Sequence, residues 1–553
     1  LNYGFTRSEL QGGKPIIGIA QTGSDLSPCN RAHVDLVKRV RDGIYQAGGI
    51  PLEFPVHPIQ ETGKRPTASL DRNLAYLSIV EVLYGYPIDG VVLTIGCDKT
   101  TPACLMAAAT VDIPAICLSS GPMLNGWYKG SRTGSGTIVW RAREMLAAGE
   151  INREQFIELV ASSAPSPGHC NTMGTASTMN ALAEALGMSL PGCAAIPAPY
   201  RERGQISYET GKRIVDMVWE DLKPSDILTR EAFENCIVIN SAIGGSTNAI
   251  VHLAAIAGRL GFELDLKALD RMGRETPVLL DLKPSGEHYM EDFHAAGGMA
   301  TLLRELKPLL HLDALTVTGR TLGEEIERAG PGFAQDVVRP LSQPIYPQGG
   351  LAVLQGNLAP GGAIIKASAA DPKLMEHEGR AVVFENLQDL AERIDRDDLD
   401  VTADDILVLK NIGPKGAPGM PEAGYMPIPR KLARAGVKDI VRISDGRMSG
   451  TAFGTIVLHV TPESAIGGPL AWVQTGDRIR LSVSKRSLQW LVSDEELARR
   501  QAAHPVREPS AERGYRKLYL QSVNQADQGA DFDFLCPPGP RQKVPRPSGD
   551  ESL

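Results

Sequence analysis

A chain of 553 residues is too long for one ordinary core, so two or three domains are expected. With 42% hydrophobic and 22% charged residues it has the composition of a globular protein, and no uninterrupted apolar stretch is long enough to span a bilayer. A net charge of -8 argues against nucleic acid or an anionic membrane surface as partner.

The chain opens at Leu1 rather than Met, so further N-terminal sequence is expected, which leaves a removed targeting peptide open. Pro15 to Ala20 reads as a strand and leads into a polar loop, Gln21 to Asn30. Val34, Val37, Val40 and Ile44 then recur at helical spacing, and Gly48-Gly49 stops the helix. Val91 to Ile95 is an apolar, β-branched run, the mark of a buried strand, and a small-residue helix follows around Ala107. Ile113 to Leu118 is a third short apolar run. Helices are expected at 138–148, 153–161, 175–186 and 207–222. This alternation predicts βαβ units and a mainly parallel sheet.

The character changes near Ser342–Gly350. Eight short strand-like segments follow, at 351–354, 363–366, 381–384, 406–409, 440–443, 455–460, 478–483 and 487–492, heavily punctuated by Gly and Pro. They predict a second domain built as a β-barrel or sandwich. The expected fold class is α/β, with a parallel-sheet α/β domain over 1–345 and a β-barrel domain over 346–535. The tail 536–553 holds five prolines and many polar residues, and reads as disordered or draped over a neighbour.

The eight cysteines are sparse and contain no CxxC pair, which fits thiols in a reducing, cytoplasmic compartment better than a disulfide framework. Three of them share one context, a loop leaving a strand or entering a helix. Cys29 lies in Ser27-Pro28-Cys29-Asn30, Cys97 ends the strand before Asp98-Lys99, and Cys170 lies in Gly168-His169-Cys170-Asn171. Their spacing is no local metal motif, and a lone Cys is usually a small buried hydrophobe. Converging on one face of the sheet, however, three thiolates would suit an iron–sulfur cluster with one iron left without a cysteine.

Asp98 and Lys99 stand beside that thiol, where the bland reading is a salt bridge. An ammonium cannot bind a metal, but carbamylation would make Lys99 an anionic oxygen ligand able, with Asp98 and a further carboxylate, to hold Mg2+. Glu61 and Glu422 are candidates for that carboxylate, although in such loops a carboxylate is usually just solvated. Gly244-Gly245-Ser246-Thr247-Asn248 precedes a helix and suits either a carboxylate or an ordinary cap. Asp445-Gly446-Arg447-Met448-Ser449-Gly450-Thr451 lacks GxSxG, so Ser449 is either part of a polar turn or a base whose alkoxide is stabilised nearby.

Taken in order, these stretches, with Cys170-Asn171-Thr172-Met173-Gly174-Thr175-Ala176-Ser177-Thr178-Met179, resemble the dihydroxy-acid and sugar-acid dehydratase family. The resemblance implies an N-terminal α/β domain and a C-terminal β-barrel. It implies a [2Fe-2S] cluster on Cys29, Cys97 and Cys170, and Mg2+ near Glu61, Asp98, carbamylated Lys99 and Glu422; three cysteines also suit a [4Fe-4S] cluster with one open iron. Ser449 falls on the family's proposed base, and a homodimer or homotetramer is implied. A 2,3-dihydroxy acid would lose its C2 proton to Ser449 and its C3 hydroxyl as water, giving a 2-keto-3-deoxy acid.

Within the family, Ser449-Gly450-Thr451, Gly121-Pro122-Met123-Leu124-Asn125-Gly126 and Pro66-Thr67 look like the sugar-acid branch. Thr451, with Gly245 and Ser246, is expected to bind substrate, because a hydroxyl there would be left unpaired by an apolar tail. The expected substrate is an aldonic acid, a pentonate such as L-arabinonate or D-xylonate. The runner-up is the dihydroxy-acid dehydratase of branched-chain amino-acid synthesis. A non-catalytic iron–sulfur carrier or sensor would need the cysteines but not Lys99, Glu422 or Ser449.

Overall fold

The computed structural model describes residues 4–59, 67–422 and 426–537. The first apolar runs form strands β1 (Ile16–Gln21), β2 (Ile50–Pro55), β3 (Gly90–Ile95) and β4 (Ala115–Ser119). They pair in parallel in the order β2-β1-β3-β4. Every residue of β3 and β4 is buried, which accounts for their unbroken apolar sequence: both faces of the sheet are covered. Helices His33–Gln46, Ser69–Gly85, Thr100–Val111 and Arg201–Glu220 supply that cover. His33–Gln46 and Arg201–Glu220 cross so closely that a Cβ on Gly211 would lie 2.1 Å from the Val40 carbonyl oxygen.

From β1 the chain moves outward to β2, and from β3 outward to β4 on the other side. The strand order therefore reverses between β1 and β3. In such sheets the crevice at the carboxyl ends of these two neighbours is where ligands bind. A short hairpin, β5 (Gly126–Tyr128) and β6 (Ser131–Thr133), then leads to helix Thr137–Ala148. Helix Thr175–Ala185 is buried on every side, the signature of a helix inside the core rather than on its surface.

All eight C-terminal apolar runs become strands: β7 (Ala352–Leu354), β8 (Gly362–Ile365), β9 (Glu376–Phe384), β10 (Ile406–Leu409), β11 (Val441–Ser444), β12 (Ile456–Thr461), β13 (Arg478–Ser482) and β14 (Ser487–Trp490). They form one sheet in the order β14-β13-β9-β10-β11-β12-β8-β7. Its edges nearly meet: Gln355 N–H donates to Arg486 O (3.0 Å) and Leu488 N–H to Gln355 O (2.9 Å). The result is barrel-like rather than a sandwich. Alternation along the strands sorts the side chains, with Ala381, Val383, Ile406, Val408 and Ile443 in one core. Val382, Phe384, Leu407 and Leu409 lie in another, packed against helix Leu387–Arg393.

The C-terminal segment returns to the first half. Buried Asp531 accepts bonds from Arg259 Nε and Nη2 (2.5 and 2.7 Å) and from Tyr76 Oη (2.5 Å). Of the expected Pro-rich tail, Cys536 is held by its N–H bond to Asp533 O (3.2 Å), and residues 538–553 lie outside the described residues. No described helix is long and apolar enough to cross a membrane.

Candidate active site

Two of the three cysteine loops leave the reversal point. Cys29 sits in a 3-10 turn, Pro28–Asn30, in the loop after β1, and Cys97 directly follows β3. Buried Asn30 ties them together: its Oδ1 accepts the Cys97 N–H (2.8 Å), and its Nδ2 donates to Thr22 Oγ1 and Thr100 Oγ1 (2.9 and 3.0 Å). Helix Thr175–Ala185 brings in the third loop. Its Ser177 Oγ donates to Cys170 O (2.8 Å), and Asn180 Nδ2, one turn on, donates to Gly96 O (2.8 Å). Ser120 Oγ holds Cys29 O (2.9 Å). Cys29 and Cys97 are buried and Cys170 is half-buried.

Cys97 Sγ donates to Asp98 Oδ1 (3.3 Å), so the thiol region runs straight into a carboxylate region. Asp98 and Lys99 are fully buried and paired with each other, and Lys99 Nζ lies 3.8 Å from Glu422 Oε2. Burial pushes the Asp98 carboxyl up, but the Lys99 ammonium and, further off, Arg447 outweigh it and hold the carboxyl below its ordinary range. Both Glu422 oxygens are buried without a hydrogen-bond partner, and Arg447 Nη1 stands 4.0 Å away, also without one. Thr67 O accepts the Glu422 N–H (2.9 Å) and Arg447 Nη2 (3.3 Å). Burial, then Arg72, Lys99 and Arg447, hold His252 neutral well below its ordinary range. Glu61 lies outside the described residues.

The loop after β11 carries Ser449 beside this cluster. A backbone bridge joins Glu422 to Arg447, and Arg447 Nε donates to Met420 O (3.0 Å). Two residues on, half-buried Ser449 has its Oγ 2.9 Å from Thr451 Oγ1. Gly450 packs against Thr175 and Ser246, whose hydroxyls are 2.8 Å apart. Asn248 Nδ2 bonds both Thr175 Oγ1 (3.1 Å) and Met448 O (3.0 Å), closing the ring.

The loop 244–248, which its sequence leaves open to a carboxylate or an ordinary cap, uses its backbone donors inside the protein. Gly245 N–H donates to Asn240 O (2.9 Å) and Ser246 N–H to Thr178 Oγ1 (3.1 Å). Asn248 N–H is taken by Ser246 Oγ (3.1 Å), so these backbone donors are spent within the protein. The Ser246 hydroxyl is buried and shared with Thr175 Oγ1.

Among the described residues no three His, Cys, Asp or Glu side chains are grouped as a ready-made metal site. The residue types and their placement nevertheless fit both expected groups. Three thiol-bearing loops are stitched together at the sheet's reversal point. Next to them, Asp98 and Glu422, whose two oxygens have no hydrogen-bond partner, offer hard oxygen donors in a buried setting, where a carboxylate without hydrogen bonds is costly. Sequence reasoning missed Trp140, and gave Arg447, Thr175 and Asn248 no role of their own within the motifs that contain them. Each reads as an ordinary helix or loop residue, and only the folded chain brings it to Ser449 or Glu422.

Residues 14–325 match the family described as dihydroxy-acid/6-phosphogluconate dehydratase N-terminal, and residues 336–530 match its C-terminal counterpart. The chain is 51% identical over 536 residues to the L-arabinonate dehydratase of Rhizobium leguminosarum bv. trifolii, covering 97% of this chain and 92% of that one. It is 50% identical over 547 residues to the D-xylonate dehydratase of Caulobacter vibrioides, covering 97% and 91%. To the dihydroxy-acid dehydratase of Caldanaerobacter subterraneus subsp. tengcongensis it is 40% identical over 538 residues, covering 96% and 95%.

Proposed function

The chain belongs to the dihydroxy-acid/6-phosphogluconate dehydratase family and is a hydro-lyase; from that premise we propose that it converts a sugar acid, a pentonate such as L-arabinonate or D-xylonate, into the 2-keto-3-deoxy acid. The observation that carries this reading is the convergence of four hydroxyls, those of Ser449, Thr451, Thr175 and Ser246, around Gly450. Such a wall suits a polyhydroxy substrate, whose own hydroxyls pair with it. A branched apolar tail has no hydroxyl with which to bond it. Greater identity to the two pentonate dehydratases than to the dihydroxy-acid dehydratase points the same way.

In this reading Cys29, Cys97 and Cys170 hold an iron–sulfur cluster of the [2Fe-2S] type, and Asp98, Glu422, Glu61 and carbamylated Lys99 hold Mg2+. When bound, the two groups supply Lewis acidity next to the substrate's carboxylate and hydroxyl oxygens. Ser449 Oγ, as the alkoxide, takes the C2 proton, the C3 hydroxide leaves with a proton as water, and the resulting enol gains a proton at C3 and gives up its C2 hydroxyl proton to become the keto acid. Thr451 and Ser246 orient the substrate's hydroxyls. Arg447, with Arg72, adds positive charge to the surroundings and so favours a carboxylate substrate.

The assembly that accompanies this reading is a homodimer or homotetramer. Purified without oxygen and supplied with iron, sulfide and Mg2+, the protein is expected to form 2-keto acid from D-xylonate or L-arabinonate. Ser449→Ala is expected to lower kcat by roughly 100-fold or more, with the visible absorbance of the cluster unchanged. Turnover that persists in that variant would rule out Ser449 as the base.

A further inference from the structure

We propose that Trp140 is a positioning residue for the reaction, acting through Thr451 to keep a hydrogen-bond donor aimed at the Ser449 oxygen. The inference rests on Ser449 being the base. Trp140, on helix Thr137–Ala148, is buried, and its Nε1–H donates to Thr451 Oγ1 at 3.0 Å. An indole nitrogen only donates, so Thr451 accepts there with one lone pair and keeps its own proton. Thr451 Oγ1 lies 2.9 Å from Ser449 Oγ, and the Thr451 N–H points at the same atom from 3.4 Å. Once Ser449 has lost its proton, its alkoxide is an acceptor only. The Thr451 hydroxyl is then its donor, and the proton stays on Thr451.

Packing fixes this direction. Gly136, at φ +79°, lies so close that a Cβ there would stand 2.5 Å from Thr451 Oγ1. A Cβ on Gly174 would stand 2.9 Å from Thr451 Cγ2. Thr451 is thus pressed from two sides and bonded by Trp140 on a third, so its hydroxyl has little room to turn away from Ser449. The Arg143 guanidinium lies 4.9 Å from the Trp140 ring centroid and draws electron density from the indole, making its N–H a stronger donor. One Thr451 lone pair remains, so a substrate hydroxyl that meets this residue must donate to it.

The test is a double-mutant cycle in the cluster- and Mg2+-loaded enzyme, using whichever of D-xylonate, L-arabinonate and 2,3-dihydroxyisovalerate the wild type turns over fastest. Trp140→Phe keeps the ring and removes the N–H; it is expected to lower kcat about tenfold with KM changed less than twofold. Thr451→Val is expected to lower kcat roughly 10- to 100-fold, the loss of a hydrogen bond to a charged group. In the Thr451→Val background the Trp140→Phe effect should vanish, while in Thr451→Ser, which keeps the hydroxyl, it should persist. Effects that multiply in the Val background, a Trp140→Phe change confined to KM, or no change at all would overturn the proposal, and the Ser background decides the matter if the Val variant does not fold. Turnover of 2,3-dihydroxyisovalerate alone would defeat the sugar-acid reading and leave this comparison intact. Turnover of none of the three would overturn both.

Discussion

Lys99 is buried between two carboxylates, bonded to Asp98 and 3.8 Å from a Glu422 that has no hydrogen-bond partner. Asp98 in turn accepts from Cys97, so three consecutive residues join thiol chemistry to oxygen chemistry at the end of one strand. Another buried residue contributes to how the protein meets acid. His33 is buried, its ring nitrogen Nε2 lies 2.7 Å from Ile95 O, and burial pulls its pKa down to about 4. In the unfolded chain a histidine charges below about pH 6.5, while in the folded chain His33 stays neutral until about 4. It therefore costs nothing above pH 6.5, and stability is lost as pH falls from there toward 4, by about 1.4 kcal/mol per unit. His33→Gln removes this titration. Urea midpoints between pH 7 and 5 should fall less steeply for the variant than for the wild type; equal slopes would show that His33 does not titrate this way. None of this was legible in the sequence, where His33 is one polar residue at a helix start. Cys97-Asp98-Lys99 was legible, because reactive side chains seldom follow so apolar a run without cause.

Helix Thr175–Ala185 is the element that assembles the site. From one face it bonds Cys170 O through Ser177 and Gly96 O through Asn180, and its first residue, Thr175, reaches the Ser449 loop through Gly450. Asn180→Ala removes the link between the Cys97 and Cys170 loops without touching a proposed ligand. The expected result is a folded protein with lower iron content after anaerobic reconstitution and faster bleaching in air. Iron content equal to the wild type would show that the helix does not hold the two loops in register. The sequence gives the existence of this helix, from its small apolar residues, but not its total burial. That comes from neighbours such as Arg230–Ala242 and Asn248–Arg259, which pack on it from far along the chain. Closure of the barrel is hidden for the same reason. All eight strand segments carry a local pattern, but the Gln355–Ser487 contact between its edge strands is a pairing no local pattern encodes.

The whole molecule places a parallel sheet with its strand order reversed between β1 and β3 against a barrel-like sheet that delivers Glu422 and Ser449. The buried Arg259–Asp531 pair ties the end of the chain back to the first half, so the two sets of loops are held in one structure. Neither sheet alone contains the proposed site: Cys29, Cys97 and Asp98 come from one, the base and Glu422 from the other, and Cys170 from the loop before helix Thr175–Ala185. The central claim is that this shared site dehydrates a sugar acid. It is tested most directly by kcat/KM for 2-keto acid formation by the anaerobically prepared holoenzyme, measured side by side on C4 to C6 aldonates and on 2,3-dihydroxyisovalerate. A pentonate, D-xylonate or L-arabinonate, is expected to exceed 2,3-dihydroxyisovalerate by at least about tenfold, the discrimination of one or two matched hydroxyls. A clear preference for 2,3-dihydroxyisovalerate would contradict the account.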